Sequence, residues 1–174
     1  DRDGHPYVTA EITRETLLIH RQAAISILEK QLTSLAQTLS FSDYRNEVPE
    51  EFLQRIAQMR VILGKKGELA VNRNHHEPLR QYINLMLQKL ENRNEKSDLP
   101  IDAYYPTANA LLDDLRFMRK TMMNMGAIRI TETYLFPVER QVKCFGFHLA
   151  KLDIRQNSSF HDKAIEQFLT WINA

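Results

Sequence analysis

Between Leu149 and Arg155 the side chains alternate in kind. Ala150, Leu152 and Ile154 are apolar, and Lys151, Asp153 and Arg155 are charged. Alternation with period two is the pattern of a β-strand whose faces meet different surroundings. Arg155 offers a planar fork of donors that suits phosphate or carboxylate, and Asp153 is placed to orient it or a neighbouring cation. A capping residue, Asn157 or Ser158, follows at once, as expected where a strand feeds a helix. The plain alternative, a solvent-facing ion pair on a half-exposed strand, stands beside the anion-site reading, because surface pairs are common and contribute little. A second arginine, Arg2, is bracketed by Asp1 and Asp3 in a turn closed by Gly4 and Pro6.

A lone strand cannot pair its own amides and carbonyls, and the rest of the chain offers few convincing partners. The partners are therefore expected outside the 174 residues, and the chain, which opens on Asp1 rather than methionine, is expected to be an excised piece. In a β/α barrel the apolar face of this strand would lie beneath the helices, with Arg155 near the C-terminal rim.

Most of the remaining sequence reads as helix. From Ile12 to Leu39 the residues Leu18, Ile25, Leu28, Leu32, Leu35 and Leu39 recur at three- and four-residue spacings, predicting one long amphipathic helix packed against others of the same chain. Pro49 suits the start of a second helix with Phe52, Ile56, Met59 and Leu63 inward, stopped by Gly64 and Gly67 around a solvated Lys65-Lys66 turn. A third begins near Pro78 and carries Leu79, Ile83, Met86, Leu87 and Leu90, before residues 92 to 98 turn towards Pro100. Thr107 caps a fourth, with Leu111, Leu115, Met118 and Met122 on one face, and Asp113 and Asp114 early with Arg116, Arg119 and Lys120 late, matching the helix dipole. Ile128 to Leu135 is ambiguous between strand and helix, and Pro137 opens a helix to about Gly146. Phe160, Ala164, Phe168 and Ile172 form the expected inward face of the last helix.

Charge and composition narrow the function classes. Lys and Arg number 23 against 22 Asp and Glu. No global field then draws the chain to nucleic acid or an anionic membrane, and anion binding must be local. No run approaches the roughly 18 apolar residues of a spanning helix. A single cysteine, Cys144, excludes an internal disulfide and suits a reducing cytoplasm. His75 and His76 are adjacent, and neighbours on a helix do not face one site, so an exposed turn is expected rather than a metal centre. His20, His148 and His161 are read as structural, and the methionines from Met118 to Met125 as core filler.

The two ends together carry a resemblance. Asp1-Arg2-Asp3-Gly4-His5-Pro6-Tyr7-Val8-Thr9 is similar to the Gly-Gly-Asp-Arg-Asp-Gly-Asn-Pro-x-Val-Thr signature of the phosphoenolpyruvate carboxylases. Leu152-Asp153-Ile154-Arg155-Gln156-Asn157-Ser158 is similar to their Leu-Asp-Ile-Arg-Gln-Glu-Ser strand end. His5 and Asn157 depart from the usual asparagine and glutamate. The resemblance implies a mainly α, bundle-like segment with a short C-terminal strand, excised from a larger α/β-barrel lyase. Residues 1–9 would be a barrel-rim loop, 10–147 a helical segment, and 148–174 the strand and final helix.

The family carboxylates phosphoenolpyruvate with bicarbonate to oxaloacetate and phosphate, using magnesium or manganese. The resemblance accordingly implies Arg155 as a phosphate contact, with Arg2, Asp3 and Asp153 in support. It implies no catalytic or metal-binding residue within these 174, and an isolated segment that is inactive. It implies a cytoplasmic enzyme, a homotetramer only as the full-length protein, and the remainder of the same polypeptide as the segment's partner. The rival expectation is an independent helical interaction module that presents an exposed seam on its first helix.

Overall fold

The structure, a computed structural model, describes residues 7–44, 47–92, 99–150 and 158–172. The first helix, α1 (Ala10–Thr38), starts where Thr9 Oγ1 accepts the Ile12 amide at 3.3 Å and ends where the Leu39 amide bonds Leu35 O. Only its second half is buried, through Ala24, Ile25, Leu28, Leu32 and Leu35, whereas Leu18, expected on the same seam, is half exposed.

Helix α2 (Glu50–Leu63) follows Pro49, with Glu50 and Glu51 in its first turn and Arg60 in its last, charges that oppose the helix dipole. Gly64, at φ +55°, ends α2, and helix α3 (Lys65–Asn72) begins immediately. The expected Lys65-Lys66-Gly67 turn is therefore a helical first turn. Gly67 belongs inside it because it lies against α2, where a Cβ would come within 2.4 Å of Arg60 O. Only a residue without a side chain permits that approach.

Helix α4 (Pro78–Asn92) is the central element, packing on α1, α2, α3 and α5 (Ala108–Asn124). Leu79, Tyr82, Ile83, Leu85, Met86 and Leu90 are all buried on it, so a surface-style single stripe widens to most of the helix circumference. Phe52 of α2 meets the rings of Tyr82 and of Phe117 at centroid distances of 4.8 and 5.8 Å, joining three helices through aromatic contacts. A 3₁₀ turn, Ile101–Ala103, precedes α5, whose Thr107 cap accepts the Ala110 amide as the sequence predicts.

The ambiguous segment resolves into a short turn α6 (Ile128–Ile130), a π-helical turn (Thr131–Leu135) and α7 (Phe136–Phe145). Thr131 is fully buried and donates its hydroxyl to Ala127 O at 2.7 Å, which satisfies a β-branched residue within helix. Among the methionines, Met118 and Met122 are core residues, whereas Met123 is exposed.

The last helix, α8 (Ser158–Ile172), corrects another expectation. Phe160, Ala164, Phe168 and Ile172 are exposed, as are Ile165, Leu169 and Trp171, because no described element packs on this helix. Among the described residues there is no strand. Leu149 and Ala150, where the strand was expected to begin, lie in a bend with Leu149 at φ +58°, and residues 151–155 lie outside the described residues. No helix among the described residues is long and apolar enough to cross a membrane.

Candidate functional site

Arg2, Asp3, Asp153 and Arg155 lie outside the described residues. What the structure does define is the approach to each motif. Thr9, the last residue of the first motif, is the cap of α1, so the direction in which the chain enters that helix is set by a hydrogen bond. At the other end α7 closes on Gly146, at φ +53°, where a Cβ would come within 2.8 Å of the His148 ring. Phe147, only 4% exposed, anchors the next residue in the core three positions before Ala150.

α7 is in turn held by charge. Arg119 Nε of α5 donates to Glu139 Oε2 at 2.7 Å, and Arg116 Nε lies 3.8 Å from Oε1. The two arginines expected to serve the helix dipole thus tie α5 to α7, the helix that leads towards Arg155.

α5 is fixed by the principal buried charge among the described residues. Asp114 is 4% exposed. Its Oδ1 accepts from Arg55 Nη2 at 2.9 Å and from the Tyr82 hydroxyl at 3.0 Å, and its Oδ2 accepts from the Tyr105 hydroxyl at 2.7 Å. Lys89 Nζ stands 3.5 Å from Oδ2 and 4.4 Å from the centre of the Tyr105 ring. One carboxylate therefore joins α2, α4, α5 and the segment before α5. Burial pushes the Asp114 carboxyl upward, but Lys89, the Tyr105 hydroxyl and Arg55 outweigh it and hold the group below its ordinary value. Burial drives both tyrosines upward, with the adjacent carboxylate adding to it, so they remain protonated donors. Burial also lowers Lys89, against the pull of Asp114.

This cluster is built for cohesion rather than turnover. Both carboxylate oxygens are already occupied, and an ionised group with saturated acceptors has no capacity to take a substrate proton. The sequence reading missed Lys89, Tyr82, Tyr105 and Arg55, and gave Asp114 to the dipole. The signal was present: residue 114 falls three after Leu111 and four before Met118, on the apolar stripe itself, where a carboxylate must find partners.

His75 and His76 do form an exposed turn, and His76 ties two loops. Its Nδ1 is 3.3 Å from Asp43 Oδ1 and its Nε2 is 2.9 Å from the Tyr44 hydroxyl. Among the described residues no three His, Cys, Asp or Glu side chains converge to hold a metal ion.

The family model described as phosphoenolpyruvate carboxylase matches residues 1–174. The chain is 35% identical over 167 residues to the phosphoenolpyruvate carboxylase of Methylorubrum extorquens, covering 95% of the chain and 18% of that protein. It is 30% identical over 173 residues to that of Aeromonas salmonicida, covering 99% and 18%, and 29% identical over 185 residues to that of Synechocystis, covering 99% and 18%. The chain thus spans less than a fifth of the length of these curated relatives.

Proposed function

Because the chain belongs to the phosphoenolpyruvate carboxylase family, we propose that it is an internal segment of a longer lyase that converts phosphoenolpyruvate and bicarbonate to oxaloacetate and phosphate. The observation that carries this reading is the match of one family along all 174 residues. On it, the helices from α1 to α7 are a scaffold, residues 1–9 form a loop at the rim of a barrel, and residues 148–174 supply a barrel strand with its helix. The isolated segment is inactive.

In the proposed enzyme Arg155 binds the phosphate of the substrate. Its guanidinium forms charge-assisted hydrogen bonds to phosphoryl oxygens, holding the group in place while it passes to bicarbonate and giving the departing phosphate a counter-charge. Asp153 orients that guanidinium, and Arg2 with Asp3 shapes the neighbouring loop. The role of the described fold is to bring the chain to residue 150 in a fixed direction, through the Asp114 cluster, the Glu139 pairs and the Gly146-Phe147 turn. Magnesium or manganese, when bound, supplies charge for developing oxyanions. The described residues offer it no ligand set. The enzyme is proposed to be cytoplasmic.

The test is Arg155→Ala in the complete polypeptide, assayed for oxaloacetate formation at varied phosphoenolpyruvate. A loss of kcat/KM of about a hundred-fold or more is expected for a phosphate contact of this kind. Kinetics equal to the parent would remove Arg155 from the site, and a parent polypeptide that forms no oxaloacetate would remove the carboxylase reading.

A further inference from the structure

Two loops, one between α1 and α2 and one between α3 and α4, meet at three side chains that the proposed reaction does not use. Asp43 and Tyr44 belong to the first loop and His76 to the second. The backbone sets them against one another. His76 lies in the left-handed region at φ +63°, where histidine is tolerated better than most residues, and its carbonyl accepts the Asp43 amide at 3.0 Å. The Tyr44 amide donates to Ser42 Oγ at 3.3 Å, which fixes the next residue of the first loop.

The side chains then fall in an ordered series. His76 Nδ1 is 3.3 Å from Asp43 Oδ1, His76 Nε2 is 2.9 Å from the Tyr44 hydroxyl, and the two ring centroids are 4.3 Å apart. An ionised carboxylate can only accept, so it favours the tautomer with hydrogen on Nδ1. Nε2 is then bare, and the Tyr44 hydroxyl is the donor. A carboxylate that orients an imidazole, which in turn takes the proton of a hydroxyl, is the arrangement by which a weak oxygen nucleophile is made reactive.

Exposure completes the case. Tyr44 is 77% exposed, so an electrophile in solution reaches its oxygen. The other tyrosines differ in ways that can be measured against it. Tyr82 and Tyr105 are buried and donate to Asp114. Tyr134 is 47% exposed and makes no hydrogen bond or ring contact with another described residue, so it shows what an open phenol does without a base.

We propose that Tyr44 is an acyl-acceptor site, its hydroxyl taking the acyl group of an activated ester with His76 as general base and Asp43 holding the imidazole. The Tyr44 oxygen bonds to the acyl carbon while its proton passes to His76 Nε2. The bond from that carbon to the leaving oxygen breaks, and the leaving group departs as an oxyanion with the electron pair. The imidazolium then returns its proton to water, leaving an ester on Tyr44 and a neutral His76. The site owes nothing to the carboxylase reading.

The test is treatment of the complete polypeptide with p-nitrophenyl acetate at near-neutral pH, with the rate of acetylation at each tyrosine read by peptide mass spectrometry. Tyr44 is expected to react about ten-fold or more faster than Tyr134, a modest share of what a positioned base can supply. Their exposures differ by less than a factor of two, so access alone does not produce that ratio. His76→Asn keeps a residue that accepts a left-handed backbone and removes the base. It should bring Tyr44 to within a few-fold of Tyr134, with Tyr134 itself unchanged as the control for folding. Equal rates at Tyr44 and Tyr134 in the parent, or an unchanged Tyr44 rate in His76→Asn, would overturn the proposal. Asp43→Asn should lower the Tyr44 rate by a smaller factor, and a rate equal to the parent would reject the orienting carboxylate.

Discussion

Replacing Asp114 by Asn keeps the shape of the side chain and removes the charge that four partners share. Lys89, with 10% of its side chain exposed, would then face a neutral amide, and two tyrosine hydroxyls and a guanidinium would compete for one remaining carbonyl oxygen. Removing one partner of a buried ion pair costs about 3–5 kcal/mol, because the other charge is stranded. Arg55 is 40% exposed along its side chain and can turn to water, so the lower end applies, about 3 kcal/mol. The measurement should be local to the helices the cluster joins: hydrogen exchange by mass spectrometry on peptides from α2, α4 and α5. Where exchange follows opening, 3 kcal/mol corresponds to roughly a hundred-fold faster exchange. Asp113→Asn is the control, since that side chain is 72% exposed and should change exchange less than two- to three-fold. A double variant, Asp114→Asn with Lys89→Met, should recover part of the loss by removing the stranded charge. Asp114→Asn exchanging like Asp113→Asn would refute the argument that this cluster joins the helices.

The acid limb should report the same carboxylate. Its folded value lies below its unfolded one, so its contribution is complete above the unfolded pKa and is lost as pH falls through the folded value. Protection of α5 should therefore fall below about pH 4 in the parent, and that step should be absent in Asp114→Asn. Gly67→Ala should destabilise the α2–α3 pair by about 1–3 kcal/mol, seen as faster exchange in both helices, because a Cβ would meet the Arg60 backbone. Glu29→Gln should slightly slow exchange in α1 at neutral pH, since the folded pKa of Glu29, raised by burial, is a cost that appears as pH rises through it. Arg2→Ala in the complete polypeptide is expected to reduce soluble, folded yield or kcat more than KM for phosphoenolpyruvate. A selective KM change would instead make Arg2 a direct contact.

The elements themselves were legible in the chain. Apolar residues at three- and four-residue spacing located α1, α2, α4 and α5, and Thr107 marked a start because its hydroxyl supplies an amide acceptor regardless of what surrounds it. The family, too, is written in two short motifs, one at each end. These are local properties: a cap, a stripe or a motif depends on residues a few positions apart. Tertiary structure decided what depends on residues brought from far along the chain. Gly67 read as a breaker until the α2 backbone proved to lie where its side chain would be. Asp114 read as a dipole charge until Arg55, Lys89, Tyr82 and Tyr105 closed around it, from positions between 9 and 59 residues away. The α8 stripe has the right period, yet all of it is exposed, because periodicity specifies which residues share a face and only packing specifies whether that face is covered.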